Sequence, residues 1–311
     1  MTIGELASET AKWLEPELGS VFTEKQMEDV TVKAAVYSLN AGGKRLRPLM
    51  MRLTALMTGC PEEKMADVLY YAATLEMIHT YSLCHDDLPA MDNDTMRRGM
   101  PSTFAKFGEA MGILAGDALL NYAFETAQKT FDAIPEDAPD AAVRMKKVAK
   151  AFSILSKKAG IYGMIAGQVA DIEAEDDPSH ATMDTIRFVH ENKTAAMIES
   201  SMMIGAALAG ATKEEIQTME TIGSDVGLAF QIVDDILDIT GDKEALGKPI
   251  GSDERNGKVT YVSLVGLEKA REDVKMLSKR AQDSLAGLAQ SQNAHGAFLK
   301  ELITALIDRD R

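Results

Sequence analysis

Two groups of aspartates could carry chemistry in this chain. The first is His85-Asp86-Asp87-Leu88-Pro89-Ala90-Met91-Asp92-Asn93-Asp94, and the second is Val233-Asp234-Asp235-Ile236-Leu237-Asp238. On a helix Asp234 and Asp238 lie about 40° apart, on one face. Adjacent carboxylates on one face repel unless a cation joins them. Hard oxygen donors of this kind suit Mg²⁺, which keeps several waters and bridges carboxylates to substrate phosphates. In an unbroken helix Asp92 would stand about 240° round from Asp86. Pro89 breaks the helix and lets the chain turn back, so Asp92 can return to the same ion. A single such cluster reads as a solvated acidic helix end. Two of them, each after an apolar run, point to metal.

A site of this type also needs cations for the phosphates. Gly42-Gly43-Lys44-Arg45-Leu46-Arg47-Pro48 sets three cations beside a glycine pair. Arg97-Arg98-Gly99 follows the first aspartate group, and Lys248 and Lys258 follow the second. Arginine forks match phosphate oxygens at two points, while lysine acts as a point charge. Together these positions predict a diphosphate site.

The elements that must hold these residues read as helices. Apolar residues recur at helical spacing in 66–87, 110–129, 141–159, 183–209, 213–239, 261–285 and 297–307. Aromatic residues are only 5% of the chain, and alternating β-branched runs are scarce. Short breaks at 58–61, 134–139 and 176–179 read as loops, and no stretch has linker composition. The 311 residues therefore predict one all-α domain, 1–311. A net charge of −15 argues against nucleic-acid binding, and 46% hydrophobic residues argue against a disordered acidic chain. Cys60 and Cys84 do not make a disulfide scaffold and suit a reducing compartment. No signal peptide or membrane span is visible, so a cytoplasmic location is expected. His85-Asp86 invites a metal-hydrolase reading, but the five histidines are too scattered to serve one.

From 39 to 261 these blocks follow the order found in trans-isoprenyl diphosphate synthases, and the chain resembles the bacterial farnesyl diphosphate synthases most. The resemblance rests on both aspartate groups, the Gly43–Pro48 block, His79, Arg97-Arg98-Gly99, Lys193-Thr194 and Phe230-Gln231. It implies the isoprenoid synthase fold, a large helical bundle around a central cavity, and head-to-tail prenyl transfer. Asp86, Asp87, Asp92, Asp234, Asp235 and Asp238 would bind Mg²⁺, three ions in the family. Arg97, Lys193, Lys248 and Lys258 would hold the allylic diphosphate between the two aspartate groups. Lys44, Arg47, His79 and Arg98 would hold isopentenyl diphosphate. Oxygens of Lys193, Thr194 and Gln231 would face the carbocation.

Tyr81 and Ser82, just before Asp86, would floor the product channel. A bulky residue at 81 goes with short products in the family, so farnesyl diphosphate is expected. The alternatives are a geranylgeranyl synthase with a deeper channel, or a non-catalytic subunit of a heteromeric synthase. A terpene cyclase would not need the Lys44–Arg47 block. The resemblance also implies a homodimer. One departure is Thr95, where many relatives carry aspartate. Gln168 and Asp171, in a further block that resembles the family, receive no role.

Overall fold

Caps in the sequence set the helix ends. The computed structural model describes residues 2–22, 28–241 and 258–307. Helix α1 (Ile3–Gly19) opens with a capping box in which the Thr2 hydroxyl and the Glu5 carboxylate exchange backbone hydrogen bonds. The helices that follow are α2 (Val30–Leu39), α3 (Leu46–Met57), α4 (Ala66–Asp86), α5 (Thr103–Phe107), α6 (Glu109–Asp132), α7 (Ala141–Ala159) and α8 (Met164–Asp176). After them come α9 (Met183–Val189), α10 (Ala196–Ala209), α11 (Lys213–Thr240), α12 (Tyr261–Val265), α13 (Leu267–Ala286) and α14 (Ala294–Ile307). The strands among the described residues are a two-residue pair, Met96–Arg97 against Met100–Pro101. The fold is all-α.

The predicted spans match these helices closely, with two informative differences. The apolar run 183–209 is not one α-helix: a π-helical turn, His190–Ala195, separates α9 from α10. The run 261–285 stops at Gly266, whose φ of +81° ends α12 before α13 begins. Helices α1, α2, α3, α5 and α8 were not predicted.

The described residues form two compact units. One comprises Met1–Arg52 with Pro61–Ala149, the other Leu53–Cys60 with Lys150–Arg311. In the first, α4 packs along α6, and α2 and α5 pack on α6 as well. Tyr71, Leu75, Met77 and Ile78 of α4 are fully buried, and each such side chain contributes about 1.5–3 kcal/mol of hydrophobic stabilisation. This burial fixes α4, whose last turn carries Asp86.

In the second unit α10 is buried on every side from Ala196 to Leu208 and packs on α11. The all-round apolar sequence of α10 demands that position. Met197, Met202 and Met203 fill its surroundings, the adaptable packing expected of a methionine-rich chain. Helix α11 carries the second aspartate group at its C-terminal end. Among the described residues no helix is long and apolar enough to cross a membrane.

Candidate active site

In the first unit the chain does turn back after Asp86. The Asp92 N–H donates to the Asp86 carbonyl at 2.8 Å, and the Asp94 N–H donates to the Asp87 carbonyl at 3.1 Å. Asn93 sits at φ +52° in the bend. The three carboxylates do not share one environment. Asp86 is half-buried and Asp92 is exposed. Asp87 is buried and accepts two hydrogen bonds from the Arg97 guanidinium, one of them from Nε at 2.9 Å. Burial pushes the Asp87 carboxyl upward and Arg97 draws it back. Arg97 also lies 3.8 Å from Asp94.

The basic blocks meet further back along α4, around Glu76 and His79. The tight turn between the two short strands holds Arg98 at φ +53°. Its guanidinium lies against Gly43, where an added β-carbon would stand 2.9 Å from Nη1. Gly43 itself has φ +142°, a conformation that favours glycine, and the Arg98 guanidinium would have to shift to admit a β-carbon. Arg45, at φ +46°, pins the turn from within. It donates to buried Glu76 at 2.5 Å and to the Leu39 carbonyl at 2.9 Å.

His79 stands one turn beyond Glu76 on α4. Burial, then Arg47, Arg98, Arg45 and Arg97 in that order, hold it well below its ordinary value, so it is neutral. Burial also lowers the Arg47 guanidinium, with Glu76 opposing and Arg98 adding to the effect. Its Nε is buried and makes no hydrogen bond among the described residues. Lys44 is exposed beside the turn. A neutral imidazole, an orphan guanidinium donor, Arg98 and the exposed Lys44, with Glu76 as the buried carboxylate among them, are the groups that can hold an anion.

Tyr81 is buried, its ring edge-on to His85 at 5.7 Å. Burial first, and Asp86 second, push its phenol up to about 12. The Ser82 hydroxyl donates to the His79 carbonyl at 2.9 Å.

In the second unit α11 remains α-helical through Thr240, so Asp234 and Asp238 share a face as expected. Gln231 is half-buried one turn before Asp235, and Asp235 accepts the Tyr261 N–H at 2.8 Å. The π-helical turn carries Lys193 and Thr194. The Lys193 ammonium lies 2.7 Å from Asp171 on α8. Lys258 lies 3.1 Å from the other Asp171 oxygen and 2.7 Å from Glu175. Burial alone would raise the Asp171 carboxyl, but Lys258 and Lys193 outweigh it and hold it below the usual range. His190 stacks on the Tyr261 ring with centroids 6.4 Å apart, and burial holds it down at about 4. Lys248 lies outside the described residues.

Sequence reasoning missed the supporting groups: Glu76, Arg45 as a turn-holder, Glu175 and Tyr261. Charged residues within apolar helices, such as Glu76 in α4, were the available signal.

Residues 28–294 match the family model for polyprenyl synthetases. The chain belongs to the polyprenyl synthetase family. This polyprenyl synthetase is 43% identical to the farnesyl diphosphate synthase of Geobacillus stearothermophilus, over 88% of its own length and 87% of that protein's. Its fold is similar to that of the geranylgeranyl pyrophosphate synthetase of Pyrococcus horikoshii, with a TM-score of 0.83, 29% identity and 99% of each chain covered. It is also similar to the Helicobacter pylori geranyltransferase complexed with magnesium and isoprenyl diphosphate. That match has a TM-score of 0.75 and 31% identity, and covers 97% of this chain and 95% of that one. The protein is thus a prenyltransferase.

The donor set of this synthetase fits Mg²⁺. Among the described residues no three His, Cys, Asp or Glu side chains are gathered into a cage. The exposed carboxylates of Asp92 and Asp234 and the half-buried ones of Asp86, Asp235 and Asp238 are hard donors of the right type.

Proposed function

We propose that the protein condenses isopentenyl diphosphate with dimethylallyl and then geranyl diphosphate, giving farnesyl diphosphate and inorganic diphosphate. The observation that carries this reading is the anion site around His79, Arg47 and Arg98. It provides for a second diphosphate substrate, which an enzyme acting on one allylic diphosphate alone does not need.

In this reading Lys44, Arg47, His79 and Arg98 bind isopentenyl diphosphate. His79 stays neutral and donates one N–H, so the diphosphate meets guanidiniums rather than a titrating group. Arg97, Lys193, Lys248 and Lys258 bind the allylic diphosphate. Asp86, Asp87, Asp92, Asp234, Asp235 and Asp238 hold Mg²⁺, which when bound stabilises the negative charge of the departing diphosphate.

The allylic C–O bond breaks with its electron pair left on diphosphate. The alkene of isopentenyl diphosphate then supplies the pair for the new carbon–carbon bond. The proton lost from the isopentenyl unit goes to an oxygen of the released diphosphate. The Lys193 and Thr194 oxygens and the Gln231 amide oxygen face the cation as weak dipoles. Strong nucleophiles there would trap it. Water must be kept from the cation for the same reason.

Tyr81, buried one turn before His85, limits the product to fifteen carbons. A geranylgeranyl product is the second reading, favoured by the similarity to the Pyrococcus horikoshii enzyme. We assign residues 1–311 to one catalytic domain that works as a homodimer in the cytoplasm. Incubation with geranyl diphosphate and Mg²⁺, with and without isopentenyl diphosphate, tests the two-substrate reading. Consumption that requires isopentenyl diphosphate is expected, and turnover of geranyl diphosphate alone to a cyclic product would overturn it.

A further inference from the structure

We propose that Asp171 is a positioning residue that joins Lys193 and Lys258 into one clamp for the allylic diphosphate. The proposal rests on the assignment of those two lysines given above and supplies what sets them together. Lys193 comes from the π-helical turn and Lys258 from the segment entering α12, 65 positions apart in the sequence. One carboxylate reaches both, Oδ2 to Lys193 at 2.7 Å and Oδ1 to Lys258 at 3.1 Å. The two ammonium groups are therefore held within the width of a single carboxylate and its hydrogen bonds.

Asp171 is itself held rigidly. It is buried on α8. One turn earlier, Gly167 brings the α8 backbone against the π-helical turn, where an added β-carbon would stand 2.2 Å from the Lys193 nitrogen. The distance from α8 to Lys193 is thus fixed by backbone contact and does not depend on a mobile side chain.

The chemistry of the arrangement follows from donor counting. An ammonium group has three N–H donors. Lys193 uses one on Asp171, and Lys258 uses one on Asp171 and one on Glu175. Each lysine keeps a donor for a phosphate oxygen without leaving its carboxylate. Two ammonium groups this close repel, and the single negative charge between them offsets the repulsion before substrate arrives. A lone structural ion pair would need only one of the lysines.

The test uses Asp171→Asn in the full chain, which keeps the shape and removes the charge. Thermal melting checks its fold. The expected result is a rise of about tenfold in KM for the allylic diphosphate and a fall of about tenfold in kcat, with KM for isopentenyl diphosphate within about twofold. Asp171→Glu, which keeps the charge, should recover part of the allylic KM. Unchanged allylic KM and kcat, or an equal rise in both KM values, overturns the proposal.

A second measurement needs no variant. In wild-type protein an amine-acylating reagent followed by mass spectrometry should modify Lys193 and Lys258 about tenfold more slowly than Lys279, an exposed lysine on α13. Equal rates overturn the proposal. If wild-type protein makes no prenyl product, the underlying functional reading fails and the proposal falls with it. If it is active and Asp171→Asn is indistinguishable from it, the proposal alone falls.

Discussion

The guanidinium of Arg98 rests on Gly43, with the site of a β-carbon only 2.9 Å from Nη1. Two loops distant in sequence are thereby locked face to face, one holding Lys44, Arg45 and Arg47 and the other Arg97 and Arg98. Gly43→Ala should displace Arg98 and strain a backbone at φ +142°. KM for isopentenyl diphosphate should rise about tenfold, the equivalent of ~1.4 kcal/mol, while KM for the allylic substrate changes little. Steady-state kinetics with each substrate varied in turn would show this, and equal effects on both would contradict it.

Glu76 is the buried partner of Arg45 beneath the same turn. Glu76→Gln leaves that guanidinium without its countercharge in a nearly dry setting. The loss should be about 3 kcal/mol of folding stability. Urea unfolding followed by circular dichroism measures it. A loss below about 0.5 kcal/mol, the size of an exposed pair, would mean that the pair contributes nothing beyond solvent screening.

His79 and His190 are both neutral in the folded protein because burial depresses their values. In the unfolded chain each titrates near its ordinary value, about 6.5. Below that pH the unfolded state binds protons that the folded state refuses, so stability falls as pH drops from about 6.5 towards 4. For His190, held at about 4, the full loss is about 3 kcal/mol. Unfolding free energies at pH 7.5 and pH 5 should differ in this direction, and His190→Gln should flatten the slope. Equal stability of the wild-type protein at the two pH values would count against both assignments.

Tyr81 fills buried space one turn before His85. Tyr81→Ala should open the channel and lengthen the product beyond fifteen carbons. Chromatography of the dephosphorylated alcohols decides it. An unchanged fifteen-carbon profile would remove Tyr81 as the chain-length determinant.

Much of the fold was legible because helical periodicity survives wherever one face is buried, as in α6, α7 and α11. The π-helical turn at His190–Ala195 was not legible, since one extra residue in a turn leaves the apolar spacing of α9 and α10 nearly intact. The return of Asp92 to Asp86 was readable from Pro89, because proline cannot continue the helix ladder. The pairing of Asp87 with Arg97 was not, because a run of aspartates does not reveal which carboxylate faces a cation. Glu76 escaped notice, and Asp171 was noticed but given no role, for a related reason: each acts on cations brought near by the fold, at sequence distances that no local spacing reports.

The most direct measurement of the central claim is product analysis after incubating the purified protein with dimethylallyl diphosphate, excess isopentenyl diphosphate and Mg²⁺, with released diphosphate counted in parallel. The account predicts farnesyl diphosphate as the main product, two diphosphates released for each one formed, and no product when Mg²⁺ is chelated. Absence of any prenyl product in the complete mixture would contradict it.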